Sequence, residues 1–264
     1  MLSHFALRLI CGIGLMLAGI PRKTIASGFF RVQMLIVLGL SVLVCLANDA
    51  YVPRVPQGLG AGTFSPTNLL TARWFLGILL GLEAFVGSML WTLERRPAAT
   101  KLMFVLLGTS LLTLGTSTLL ISPQPKVGLV FLLCSELSST LLLGAALTGM
   151  LLGHSYLTTP TMSIAPLSRI NLYLGAGALL RGIVSGTVLV IAWGSLQGPS
   201  YFVWLLLRWS AGIIAPLILS IMTHQILRYR NTQAATGVLF VGVIVTFIGE
   251  LSGSLLSQEA RFPV

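Results

Sequence analysis

Charge is what this sequence has least of. Of its 264 residues, 16 are Lys or Arg and 6 are Asp or Glu, together 8 %. A soluble domain carries about 25 %, so a water-facing ionic surface cannot be built, and a soluble enzyme and a coiled coil are excluded. Aspartate is reduced to Asp49, which argues against Asp-rich magnesium sites for phosphate or prenyl chemistry. It also leaves a Ser/His/Asp triad without its orienting acid. The three cysteines, Cys11, Cys45 and Cys134, lie in apolar runs with no C-x-x-C spacing and no nearby histidine. A disulfide scaffold and a zinc site therefore have no support, no metal site is assigned, and the cysteines read as small buried hydrophobes. No Walker A, G-x-S-x-G, H-E-x-x-H or C-x-x-C-H motif occurs, nor a G-x-G-x-x-G in a strand–helix setting.

What is present is hydrocarbon. Hydrophobic residues make up 55 % of the chain, and the mean hydropathy is +0.95. A bilayer core of about 30 Å takes roughly 20 apolar residues as helix. Eight runs meet that length: 2–20, 29–47, 69–92, 101–121, 127–152, 170–195, 201–226 and 234–257. The expected fold is an all-α polytopic membrane bundle, one integral membrane domain over 1–264. The first run carries Arg8 but has its other positive charges, Arg22 and Lys23, after the apolar stretch and no A-x-A-like cleavage site. It is read as a retained span rather than a signal peptide. The connections are short and rich in Pro and Gly; only 48–68 and 153–169 are long enough to fold over a site. No internal repeat stands out, which weighs against an inverted-repeat transporter.

The basic excess sorts by connection. Arg22, Lys23, Arg31, Arg95, Arg96, Lys101, Arg169, Arg228 and Arg230 follow the odd-numbered spans, whereas Arg54, Lys126 and Arg261 lie on the other side. Nine against three makes the first set cytoplasmic and puts both termini outside. The minimal loops suggest a bacterial plasma (inner) membrane. The cytoplasmic face would then attract anionic lipid headgroups, and nucleic acid is not needed to explain the charge.

Charges inside the spans are costly and usually face partners. Glu83, Glu136 and Glu250 lie there with Arg8, Arg73, Arg181 and Arg208. Counting about 1.5 Å per residue puts Glu83 and Arg181 about 21 Å from the outer ends of their spans, and Glu136, Arg208 and Glu250 roughly 10–14 Å deep. The expectation is two layers, a midplane Glu83–Arg181 pair and an outer cluster of Arg208 with Glu136 and Glu250. Glu136, Thr140, Gly144 and Thr148 share one helical face, as do Thr109, Thr113 and Thr116. Small residues four apart (Gly77 and Gly81; Ala178, Gly182 and Gly186; Gly249 and Gly253) allow close helix contact. These charges either fix helix register or carry a proton, an ion or the wall of a quinone pocket. Pro216 should kink span seven and free the carbonyl of residue 212.

Two polar stretches fall on the cytoplasmic side. One holds His154 and Tyr156; the other holds His224, Arg228, Arg230, Asn231 and Gln233. Asn231 or Thr232 can cap the last helix, whose N-terminus with Arg228 and Arg230 beside it makes a candidate anion or headgroup site with Asn231 and Gln233. Three readings stand: His154, Tyr156, His224 and Arg228 around a quinone headgroup; His154 and His224 as axial ligands of a haem b; or interfacial anchors with no ligand. The leading functional expectation is a membrane subunit of a quinone-linked or other electron-transfer or proton-handling system. The alternatives are a secondary transporter or permease for a small solute, and a structural membrane subunit without chemistry.

Overall fold

The computed structural model describes residues 2–22, 24–47, 66–120, 129–159, 162–192 and 199–260. Lys23, Arg54, Lys126, Arg261 and most of the first long connection lie outside them. Among the described residues the chain is helical throughout, and eight helical stretches are long and apolar enough to cross a membrane. The protein is a polytopic membrane protein, with eight spans among the described residues. Large apolar side chains are turned outward on most of these helices, among them Phe75, Leu112, Ile183, Val190 and Phe202. In water such a surface would aggregate; in a bilayer it is the lipid-facing coat.

Two compact units divide the chain, residues 1–18 with 26–123 and residues 19–25 with 124–264. The first contains α1 (Leu2–Gly19) as far as residue 18, α2 (Ser27–Leu46), α3 (Pro66–Thr92) and α4 (Arg96–Leu119). Helix α3 packs against both α2 and α4. The α2–α3 seam is antiparallel and built on small residues. Gly77 accepts Cys45 and Gly81 accepts Ser41, Gly87 lies under Met34, and Phe30 stacks on Trp91 with centroids 4.3 Å apart. With lipid outside rather than water, such seams are held by close packing rather than by hydrophobic exclusion. Helix α1 runs along α4, with Gly14 against Leu107 and a hydrogen bond of 3.0 Å between His4 Nδ1 and Ser117 Oγ. Arg73 Nη1 donates to Ser3 Oγ at 3.3 Å. The span that carries Arg8 is the most buried of the eight, and Arg8 itself is buried.

The second unit contains α5 (Leu129–Thr158), α6 (Ala165–Ala192), α7 (Pro199–Trp209), a π-helical turn (Ser210–Ile214), α8 (Ala215–Arg228) and α9 (Thr232–Ala260). Helices α7 and α8 with the π turn between them form one span. Helix α5 packs on α6 and α9, and α8 packs on the same two, so α5 and α8 occupy opposite corners. Glycine again sets the approach. A Cβ on Gly177 would come within 3.1 Å of the Leu142 backbone, and one on Gly153 within 2.8 Å of Thr236 Oγ1. Asn171 and Ser220 tie α6 to α8 reciprocally: Asn171 Nδ2 donates to the Ser220 carbonyl at 2.9 Å, and Ser220 Oγ donates to the Asn171 carbonyl at 3.0 Å.

Two expectations change here. Helix α5 does not stop at Gly153 but continues to Thr158, and α6 begins at Ala165, so most of 153–169 is helix rather than loop. Gly153 serves contact with α9 instead of ending its helix. Span seven takes up Pro216 through the π turn: the proline has no N–H for the carbonyl one turn back, and the ladder widens by one residue just before it.

Candidate functional site

The depth of the second unit's charges decides its chemistry. Arg181 lies eleven residues before the end of α6 at Ala192, Arg208 nine after the start of α7 at Pro199, and Glu250 ten before the end of α9 at Ala260. All three helix ends are on one side of the unit, so the three residues share a layer. The expected separation of Arg181 into its own midplane layer is therefore corrected; it came from the ends expected for all three spans, at 195, 201 and 257.

The cluster is fully closed, with Arg181 1 % exposed and Arg208 and Glu250 0 %. Arg181 Nε and Arg208 Nη1 both reach Glu250 Oε1, at 3.1 Å and 2.8 Å. Ser139 Oγ donates to Glu250 Oε2 at 2.5 Å. Arg181 Nη1 donates to Ser135 Oγ at 2.6 Å and to the Ser135 carbonyl at 3.2 Å. Arg208 Nη1 also reaches the Gly249 carbonyl at 3.2 Å, and its Nη2 reaches Ser185 Oγ at 3.4 Å. Burying these charges is unfavourable unless most donors find acceptors, which Ser135 of α5, Ser185 of α6 and the Gly249 carbonyl of α9 supply, while Ser139 donates to the carboxylate.

Backbone contact brings the groups together. A Cβ on Gly249 would overlap the backbone of Gly212 in the π turn, and one on Gly253 would fall 2.9 Å from Arg208 Nε. The small residues four apart on α9 thus admit the π turn and the guanidinium side by side. Two polar groups are left over. Arg208 Nε has no acceptor, and Thr246 Oγ1, one turn before Glu250 on the same face of α9, has no partner among the described residues. Thr113, Thr118, Thr187 and Thr236 return their hydroxyls to carbonyls four residues back, as helical threonines commonly do; Thr246, like Thr140, Thr148 and Thr223, does not.

Glu136 is buried, but Ser135 and Ser139 of the same helix meet the cluster. Glu136 follows Ser135 by one residue and is turned about 100° around the helix, so the face shared with Thr140 and Thr148 is a different one. The α5 hydrogen bonds to the cluster come from these serines, residues the sequence reading did not single out. Their i, i+4 spacing was visible in the sequence, but the charge at 136 masked it. Glu83 belongs to the other unit and takes the hydroxyl of Thr109 at 2.9 Å, while Arg181 takes Glu250.

The polar residues at the other end of the second unit are arranged differently. His154 is exposed in the last turns of α5, and His224 and Arg228 are exposed on α8. Tyr156 is buried, and its hydroxyl donates to the Ser163 carbonyl at 2.5 Å, tying the end of α5 to the start of α6. No hydrogen bond joins any two of these four among the described residues. Arg230 takes a left-handed conformation (φ 57°) as the chain leaves α8. Asn231, rather than Thr232, caps α9: its Oδ1 accepts the Ala234 N–H at 3.0 Å. Gln233 is exposed in the first turn.

No family model matches the chain, and no curated protein or solved structure matches it either.

Proposed function

We propose that the protein is a membrane carrier for a small anionic solute, and that the Arg181–Glu250–Arg208 cluster is its binding element. The observation that carries this reading is the buried cluster abutting a π turn. A helix interrupted at the depth of intramembrane charge is a recurring feature of solute carriers, and π turns collect at functional sites. Glu250 occupies two guanidinium groups as a solute carboxylate or phosphate would. The unused Arg208 Nε–H and the Thr246 hydroxyl are spare hydrogen-bonding groups beside it. Entry requires the helices to part, and the π turn is where the α7–α8 ladder is already altered.

The quinone-linked or other electron-transfer reading, with haem b through His154 and His224 as a variant, receives less support. It draws on outward-facing residues at opposite corners of the unit and on a tyrosine hydroxyl already engaged. Screening the detergent-solubilised protein against small carboxylates and phosphates tests the carrier. At least one anion should raise its thermal midpoint, and Arg208→Lys, which keeps the charge but loses the fork, should abolish the rise. A rise undiminished in Arg208→Lys would move the site elsewhere.

We further assign the connections after α1, α3, α5 and α8 to the cytoplasmic face of a plasma membrane, on the Lys and Arg count. A cysteine at position 230, in a chain with Cys11, Cys45 and Cys134 replaced, should resist an impermeant maleimide in intact cells and react in inverted vesicles. Reaction in intact cells would reverse the assignment.

A further inference from the structure

The first unit holds a carboxyl of another kind. Glu83 lies well inside α3, seventeen residues after Pro66 and nine before Thr92, and is 7 % exposed. Its Oε1 accepts the Thr109 hydroxyl at 2.9 Å, and its Oε2 is buried with no hydrogen-bond partner. The charged residues on the helices packed against α3 are Arg31 in the second turn of α2 and Arg96 and Lys101 in the first turns of α4. All three lie toward the Thr92 end of α3, about 10–20 Å along the helix axes from Glu83. On α3 itself Arg73 is ten residues away, about 15 Å along the axis, and donates to Ser3. Arg8 on α1, which runs along α4, is engaged in contacts of its own. Among the described residues no cation reaches Glu83.

An ionised carboxylate without a cation is unfavourable in hydrocarbon. A metal ion would need several oxygen ligands, yet among the described residues Thr109 is the only side chain hydrogen-bonded to this carboxyl, and helix carbonyls nearby are held in their ladders. We propose that Glu83 is a proton-binding site: Oε1 accepts from Thr109, and Oε2 carries a proton exchangeable with the aqueous phase. This goes beyond the carrier reading, since it concerns the other unit and would supply a coupling ion whatever the solute.

The acid form has a distinctive reaction. Dicyclohexylcarbodiimide takes the carboxyl proton onto one nitrogen while the carboxyl oxygen bonds to its central carbon. The acyl group then migrates from oxygen to nitrogen, leaving a stable N-acylurea with no leaving group. The whole protein in lipid nanodiscs would be treated with this reagent across a pH series, with and without sodium chloride, and the adduct located by peptide mass spectrometry. The adduct should form on Glu83, be absent from Glu83→Gln, and exceed that on the ion-paired Glu250 by about tenfold or more. Once the acid is the minor form, labelling should fall roughly tenfold per pH unit, and sodium at fixed pH should leave it unchanged. Protection by sodium would make the site a metal-cation site and overturn the proposal. So would a Glu83 that stays unlabelled at every pH while the denatured chain is labelled. Neither result depends on a solute, so failure here leaves the carrier reading standing, and the reverse holds.

Discussion

Glu250→Leu should lower the stability of the second unit by about 3–5 kcal/mol, the range found when one partner of a buried ion pair is removed. The change leaves Arg181 and Arg208, which are 1 % and 0 % exposed, without the carboxylate both now share. Ser139 Oγ loses its acceptor as well. The thermal midpoint of the purified protein, followed by loss of monodisperse material, is the measurement. A combined Arg181→Met, Arg208→Met, Glu250→Leu variant should recover most of the loss, because a dry apolar cluster of similar volume carries no desolvation cost. That contrast separates two roles. If the charges only held helices in register, the apolar variant would be both stable and active; if they bind solute, it is stable and inactive.

Gly249→Val is expected to be still more damaging to assembly. The added carbon would overlap the Gly212 backbone, and backbone cannot rotate away as the end of a flexible side chain can. The π turn would have to withdraw from α9, taking Arg208 out of reach of Glu250 and the Gly249 carbonyl. Overpacking in a tight interior typically costs about 1–3 kcal/mol; here the lost ion pair adds to it, so little folded protein should be recovered. Gly237→Ala, on the same helix with nothing within 4 Å of the new carbon, should be neutral or slightly stabilising. Comparable recovery of the two variants would mean that the α9–π-turn contact is not what seats the cluster.

The spans were legible because bilayer thickness imposes one requirement, about 20 apolar residues, that composition meets or fails directly. Their ends were less so. A span ends where apolar residues stop, but a helix ends where its carbonyls find other partners, and α5 runs six residues past its last expected position. Such offsets pass straight into depth, which is how Arg181 was separated from the layer it shares with Arg208 and Glu250. The small-residue spacing read well, since Gly77, Gly81, Gly182, Gly249 and Gly253 all receive a neighbouring helix. The π turn did not, because a proline predicts a disturbed ladder and not its form. Ser135 and Ser139 were missed for a similar reason: one residue of rotation decides which face of α5 meets the cluster, and only packing fixes that rotation.

The solute-binding role proposed for the buried charges of the second unit goes beyond joining helices. It is tested most directly by uptake into proteoliposomes of an anion that stabilises the wild-type protein, measured for wild type and for the Arg181→Met, Arg208→Met, Glu250→Leu variant at equal incorporation. The wild type should show uptake, and the variant, although folded, none above empty liposomes. Uptake by the apolar variant at the wild-type rate would contradict that role.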